Sequence, residues 1–417
     1  MSNSLIVADR SRIETWEFCP RARWWGYEWE GIGITRTQLS IDLEVGITTH
    51  EILHKIMAMA KANTFTEAEL VRVQQFELAS FETKIRQRGL AMELASGWEQ
   101  QEDGTIAVQE GNLEFIIKLY RTWMQASTTA WTAVRLPHYI QNYEIVNCEI
   151  EEELYLGEGE VLFMSRPDAL LKRYADGELF VLNFKTVGEA NKWWLDQWPI
   201  DMQTLTENLP VEARLGQKVS GVIIEGLVKG GKKLQYPPGS GSWYINSPLA
   251  WMWKKDSAPP FPAEYACRYE WTGDDGKGHR LGKGWHKQPV WEDELGVQGW
   301  LNWLHENDPE LLRSQFVDLP PILRSDYAVE SWQRKTLAQE VSIRDRREAV
   351  NYGTLSLDAG FPMHTAKGNC VRPSTCEFYK MCHGTAATDP LDNGYQVRVP
   401  NHPQEAQLVQ IATQEDQ

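Results

Sequence analysis

The chain contains little of several features that define common classes of protein. Among its 417 residues are six cysteines, and no apolar run is long enough to span a membrane. Basic residues are outnumbered, with 42 Lys and Arg against 58 Asp and Glu, which gives a formal net charge of −16. These scarcities argue against a disulfide-stabilised secreted domain, a membrane-spanning protein and an overall basic field that attracts nucleic acid. Since no apolar leader is recognisable, we expect a cytoplasmic protein with reduced cysteines.

Hydrophobic residues make up 42% of the chain, enough for two or three domains or for one core with large insertions. The segment from Lys229 is rich in Gly, Pro, Trp and Lys, so it is either a loop-rich elaboration or a surface that contacts a nucleic-acid strand. The predicted regions are N-terminal helices (1–60), a helical subdomain (61–145), an α/β core (146–228), an insertion (229–320), a C-terminal helix with a cysteine motif (321–385) and a disordered tail (386–417).

The stretch from Val161 to Val187 predicts two strands joined by a tight turn. Asp176-Gly177 between apolar runs is a strong hairpin signal, and Leu179 to Phe184 forms the second strand. Side chains alternate along a strand, so residues 183 and 185 share one face.

A paired hairpin would bring Asp168 to the face that carries Asn183 and Lys185. Carboxylate and amide oxygens suit Mg²⁺ or Mn²⁺, and a lysine beside them can orient water or stabilise developing charge. The sequence therefore predicts a divalent-metal site, with an ordinary surface hairpin as the alternative.

Three cysteines, Cys370, Cys376 and Cys382, follow one another at six-residue steps near the C-terminus. A zinc ribbon would use paired C-x₂-C knuckles with a fourth ligand nearby, and neither is present. The fourth thiolate must come from a distant position, and Cys19 is the natural candidate. Four thiolates fit an iron–sulfur cluster. A cysteine-bound zinc protein is the alternative.

Two N-terminal segments carry further candidate residues. Cys19-Pro20 ends a helical turn and is followed by a basic and aromatic cluster that includes Arg21 and Arg23. His50 lies on the apolar face of a predicted helix, where it is either a core histidine or a ligand.

Together these motifs resemble the iron–sulfur branch of the PD-(D/E)XK nucleases, which includes the RecB/AddB nuclease domains and the CRISPR-adaptation and phage relatives. The resemblance extends over most of the chain. The matching elements, in order, are Ser11-x₇-Cys19-Pro20, Gly46-x₃-His50, Arg166-Pro167-Asp168, Asn183-Phe184-Lys185-Thr186, Gln203 and the cysteine triplet. One spacing departs from the family, in which the triplet often reads C-x₂-C-x₅-C.

The resemblance implies a restriction-endonuclease-like core, a mixed sheet flanked by helices and closed by a [4Fe–4S] cluster at the C-terminus. It implies metal-dependent hydrolysis of single-stranded DNA or duplex ends, with a helicase, recombination or CRISPR-adaptation protein as partner. Metal ligands would be His50, Asp168, residue 183 and the Phe184 carbonyl. Lys185 would position the water or stabilise the transition state, and Gln203 would orient substrate or water. The implied DNA contacts are Arg21, Arg23, Trp193, Trp194 and Trp198, with core packing as the alternative for the tryptophans.

Position 183 is Asn where the family carries a carboxylate. An amide oxygen coordinates Mg²⁺ without charge, so metal affinity is expected to be weaker. The residue fits an engineered substrate trap, a natural inactive member or a weakly active enzyme. It also leaves open a scaffold that binds DNA or protein without cutting.

Overall fold

A computed structural model describes residues 5–89, 110–148, 151–235, 242–246, 252–253, 267–272, 286–290, 301–302, 304–306, 309–364, 370, 376–383, 389–400, 402 and 405. Its α-helices are α1 (Arg10–Phe18), α2 (Pro20–Arg23), α3 (Ile41–Lys61), α4 (Glu67–Arg88), α5 (Glu110–Val134), α6 (Leu136–Asn142), α7 (Lys192–Gln197), α8 (Met202–Thr206), α9 (Asn208–Leu215), α10 (Pro309–Arg313), α11 (Asp326–Asn351), α12 (Leu357–Gly360) and α13 (Tyr379–His383). Its strands are β1 (Ile6–Asp9), β2 (Ile34–Arg36), β3 (Tyr143–Cys148), β4 (Glu152–Leu156), β5 (Val161–Ser165), β6 (Ala169–Arg173), β7 (Leu179–Val187), β8 (Gly221–Val228), β9 (Gly231–Gln235), β10 (Ser242–Asn246), β11 (Met252–Trp253), β12 (Cys267–Thr272), β13 (His286–Val290), β14 (Phe316–Asp318) and β15 (Tyr395–Val397).

A five-stranded mixed sheet in the order β14-β8-β7-β6-β3 forms the centre of the fold. Strands β7 and β8 run parallel, and the other neighbouring pairs are antiparallel. All residues from Leu179 to Phe184 are buried, which is typical of a central strand covered on both faces. The α/β class predicted from the sequence is therefore confirmed.

The β6–β7 hairpin forms as predicted. Gly177 adopts a φ of 77° in the turn, and the Asp176 carboxylate pairs with Arg173 across it. The segment before the hairpin differs from the prediction, because β5 pairs with β1 and β4 in a second sheet. Pro167 separates β5 from β6, and a residue without an N–H cannot continue a central ladder.

The helices predicted as a separate subdomain at 61–145 pack on the central sheet instead. Ile52 of α3, Phe81 of α4 and Trp131 of α5 share one buried cluster with Leu182 and Phe184 of β7. Amphipathic helices obtain most of their stability from such packing. One core therefore includes these helices and one face of the sheet.

The predicted insertion contributes a strand to the central sheet, and the predicted disordered tail also contains a strand. At the edge of the central sheet β14 pairs with β8, so the core extends beyond the predicted boundary at residue 228. Near the N-terminus β15 pairs with β2, and the buried carboxylate of Glu405 contacts Arg12. The prediction of disorder is therefore wrong for residues 389–400. Among the described residues, no helix is both long enough and apolar enough to cross a membrane.

Candidate functional site

Asp168 lies immediately before β6, where the hairpin register brings it beside Asn183 of β7. Its Oδ2 accepts a hydrogen bond of 2.7 Å from the Phe184 N–H, and its Oδ1 lies 3.0 Å from Nδ1 of His50. The backbone of β7 and a side chain from α3 therefore fix the orientation of this carboxylate.

Helix α3 crosses β7 closely enough to place His50 at the site. Gly46, one turn earlier, faces Thr186, and a Cβ at position 46 would lie 3.4 Å from the Thr186 hydroxyl. The imidazole also packs edge-on against the Phe184 ring, with the ring centroids 6.2 Å apart. The spacing of Gly46 and His50 thus has a physical reason, since both residues lie on the helix face that meets the strand.

The carboxylate of Asp168 is held in its ionised form. Burial raises the pKa of Asp168, but the charge and hydrogen bond of His50, the charge of Lys185 and the Phe184 N–H together bring it below its usual value. A carboxylate in such surroundings is negative at neutral pH, as a cation ligand must be.

Asn183 and Lys185 share one face of β7, opposite the face that carries Leu182 and Phe184. The Asn183 side chain is buried, and its Nδ2 has no hydrogen-bond partner. Burial and the neighbouring charge of Arg10 lower the pKa of Lys185, while nearby carboxylates oppose that shift. The ammonium group is therefore partly withdrawn from water beside the Asp168 site.

Glu207 is a buried carboxylate that the sequence analysis did not single out. Gln203 accepts a 2.6 Å hydrogen bond from Arg10 and donates through Nε2 to Oε1 of Glu207. Burial raises the pKa of Glu207 to about 7, although Lys185 and Arg10 act to lower it. The sequence feature that could have pointed to Glu207 is its four-residue spacing from Gln203, since this spacing places both side chains on one side of a helical turn.

The structure separates the three tryptophans predicted to contact DNA. Trp193 is 74% exposed, whereas Trp194 and Trp198 belong to the core beneath the sheet. Trp198 also packs near Lys185, whose Nζ lies 5.8 Å from the ring centroid. Core packing therefore accounts for two of the three, and Trp193 is available for stacking.

The two arginines predicted to contact DNA are buried in ion pairs. Arg23 is 1% exposed, and it pairs with Glu28 at 2.7 Å and with Glu340 at 2.7 Å. Arg21 donates to the Phe361 carbonyl at 2.8 Å and contacts Asp358. Both guanidinium groups link the N-terminal segment to C-terminal elements, so the DNA-contact prediction is wrong for these positions.

The four cysteines predicted to share a site line one pocket, together with the apolar side chains Phe18, Ala22 and Phe378. The four are Cys19, Cys370, Cys376 and Cys382. Cys148 lies in β3 and is not among the lining residues, and the side chain of Cys267 lies outside the described residues.

Long-range contacts hold the two chain segments of the cysteine pocket together. Arg36 of β2 donates to the carbonyl of Cys376 at 3.3 Å and to that of Glu377 at 3.2 Å. The His364 N–H lies 3.5 Å from Sγ of Cys19. Burial raises the pKa of the Cys376 thiol and brings that of Cys382 to about 11.

In the part of the chain that is described, no three His, Cys, Asp or Glu side chains are already grouped to hold a metal ion.

Comparison with known proteins does not identify the chain. No family model matches it, and no curated protein matches it significantly.

Proposed function

We propose that this protein is a divalent-metal-dependent DNA nuclease with a restriction-endonuclease-like core. The observation that carries the proposal is the contact of His50 with Asp168 beside Asn183 and Lys185. These residues come from α3, the start of β6 and β7, and their order along the chain agrees with the nuclease motifs. A buried acid on which both an imidazole and a lysine act suits phosphodiester hydrolysis.

The donor set fits Mg²⁺ or Mn²⁺. Neighbouring ligands around an octahedral ion, each 2.0–2.1 Å from it, lie about 3 Å apart. Nδ1 of His50 and Oδ1 of Asp168 lie 3.0 Å apart. Nδ2 of Asn183 has no hydrogen-bond partner, so a half-turn of the amide would place its oxygen there, since amide O and N assignments follow from hydrogen bonding. The Phe184 carbonyl completes the set implied by the motifs. A bound ion would activate water and neutralise charge on the phosphate.

Lys185 supplies the positive charge that the protein itself contributes to the reaction. Its ammonium would donate to the attacking water or to a phosphate oxygen and so stabilise the charge that develops in the transition state. We assign Gln203 a role that follows from its hydrogen-bond partners. Its amide is already occupied by Arg10 and Glu207, so it positions those side chains rather than the substrate.

For the second site we propose a [4Fe–4S] cluster held by Cys19, Cys370, Cys376 and Cys382. Its support is the pocket that all four line, in which the N-terminal cysteine meets the C-terminal triplet. Thiolates are the ligands of such clusters. The cluster would be structural, since it would link α1 and α2 to α13.

Cleavage assays on end-labelled single-stranded and double-stranded DNA test the nuclease proposal. The protein with Asn183 is expected to cut poorly in Mn²⁺ and not at all in EDTA. Asn183→Asp is expected to cut faster and at lower metal concentration, because it adds an anionic ligand. If neither form cuts any DNA with Mn²⁺ or Mg²⁺ while fold and iron content are intact, the nuclease proposal is refuted.

Asn183 favours one alternative function, a nuclease fold that binds DNA or a protein partner without cutting. An amide at this position reduces the negative charge available to a cation, whether it is natural or engineered. The scaffold would bind DNA in the presence of EDTA as well as in Mn²⁺. The same cleavage assay separates the two functions.

Trp193 is expected to contribute to binding of single-stranded DNA. Trp193→Ala should weaken binding by about 1–3 kcal/mol, since one exposed ring would lose its stacked base. Tyr352→Ala is a matched control, because this side chain is also exposed, at 82%. Fluorescence anisotropy at one fixed salt concentration makes the comparison, since phosphate contacts make affinity salt-dependent. Equal affinities for the two variants would exclude stacking at Trp193.

A further inference from the structure

The residues that match the nuclease motifs include one carboxylate, Asp168, on the metal-binding surface. Mg²⁺ is usually held by one or two carboxylates together with water and phosphate oxygens. With Asn at position 183, the ion would have to be held with less negative charge than a second carboxylate would provide. Another acidic side chain on the same surface would resolve this deficit.

Glu207 occupies such a position. It lies between α8 and α9, and Val211 of α9 shares a buried cluster with Val181 and Val187. Those two valines lie on the same face of β7 as Asn183 and Lys185, one on either side of them. The charge of Glu207 acts on Lys185 and on Asp168. Glu207 therefore lies on the side of the sheet that carries Asn183 and Lys185, close enough for its charge to act on Asp168.

Hydrogen bonding orients the Glu207 carboxylate, but only one of its two oxygens has a hydrogen-bond partner. Its Oε1 accepts from Gln203, which Arg10 holds in turn. Its Oε2 is buried and has no hydrogen-bond partner, and the residue is 7% exposed. A buried carboxylate oxygen without a partner costs free energy, so such atoms usually have a ligand or a function. A divalent cation would be the missing partner.

We infer that Glu207 supplies the second carboxylate of the divalent-cation site, in place of the residue at position 183. The inference rests on the proposed nuclease function and makes it more specific. It implies that the native chain binds its metal without the carboxylate that the family motif carries. Position 183 and Glu207 would then be interchangeable sources of one negative charge.

Direct measurement of Mn²⁺ binding tests the inference independently of cleavage. Titration of the iron-loaded protein, followed by the electron paramagnetic resonance of free Mn²⁺, gives the affinity of each variant. Glu207→Gln retains an acceptor for Gln203 and is expected to bind Mn²⁺ at least tenfold more weakly than the native protein. Asn183→Asp in the Glu207→Gln background is expected to recover most of that affinity. Glu189→Gln is the matched control, because Glu189 is exposed just beyond β7.

The cleavage rates of the same variants should follow their Mn²⁺ affinities. Native affinity in Glu207→Gln, with a melting temperature in EDTA equal to that of the native protein, would overturn the inference and leave the nuclease proposal standing. A native protein that binds no Mn²⁺ would overturn both. Loss of affinity in Glu207→Gln that Asn183→Asp does not restore would show that the two positions are not interchangeable and would also overturn it.

Discussion

Lys185→Ala is expected to abolish metal-dependent DNA cleavage while leaving Mn²⁺ binding largely intact. The ammonium group is not a metal ligand in the proposed site, so its removal does not empty the ligand set. It stabilises charge that develops only in the transition state, and loss of one such donor costs about 10²–10³ in rate. Single-turnover cleavage of end-labelled DNA in saturating Mn²⁺ measures the effect.

Lys172→Ala provides the matched control for Lys185→Ala. Lys172 lies on β6, next to the same strand, but its side chain is exposed to solvent. Its replacement removes one positive charge from the hairpin and is expected to change cleavage less than twofold. Equal rate losses in the two variants would show that Lys185 acts through general electrostatic attraction of DNA rather than through the transition state.

The hairpin could be predicted from the sequence because its determinants are local. Asp176-Gly177 specifies the turn, and the apolar face of β7 opposes a slip in register. The register then places Asp168 beside Asn183 without information from elsewhere in the chain. The same local alternation places Lys185 on the face of Asn183.

Burial of side chains outside the hairpin could not be predicted, because distant residues decide it. Gly226 of β8 leaves the space that Trp194 fills, since a Cβ at position 226 would lie 2.7 Å from the indole ring. Arg23 is buried because Glu340 of α11 meets it at 2.7 Å. The sequence shows a tryptophan in one case and a basic and aromatic cluster in the other, but only tertiary contacts distinguish core packing from a DNA surface.

The motifs predict some residues around Glu207 but not Glu207 itself. Its motif neighbours Gln203 and Lys185 are recognisable by their spacing, whereas its own role depends on the packing of α8 and α9 on the sheet. An unpaired buried oxygen is visible only in three dimensions. The chain thus departs from the motif at position 183 and offers a carboxylate from another element.

The largest expected effect on stability comes from the cysteine pocket. Cys19→Ala should remove the brown colour and most of the iron, and it should lower the melting temperature by about 10 °C or more. A metal site that the unfolded chain does not preform contributes its binding energy to folding. The pocket lies where α1 and α2 meet α13, so loss of the cluster would release contacts between both ends of the chain.

Iron analysis, visible absorption and calorimetry of the unmodified protein, Cys19→Ala and Cys148→Ala test whether Cys19 is a ligand of an iron–sulfur cluster. Native protein should absorb broadly at about 400 nm, as thiolate-ligated iron–sulfur clusters do. Cys148→Ala is the matched control, since this cysteine lies in β3 and does not line the pocket, and it should keep its iron and colour. Full iron content in Cys19→Ala would exclude Cys19 as a ligand. If the unmodified protein is colourless and contains one zinc ion, the four cysteines form a zinc site and not an iron–sulfur cluster. Four thiolates also bind Zn²⁺, which has no redox chemistry.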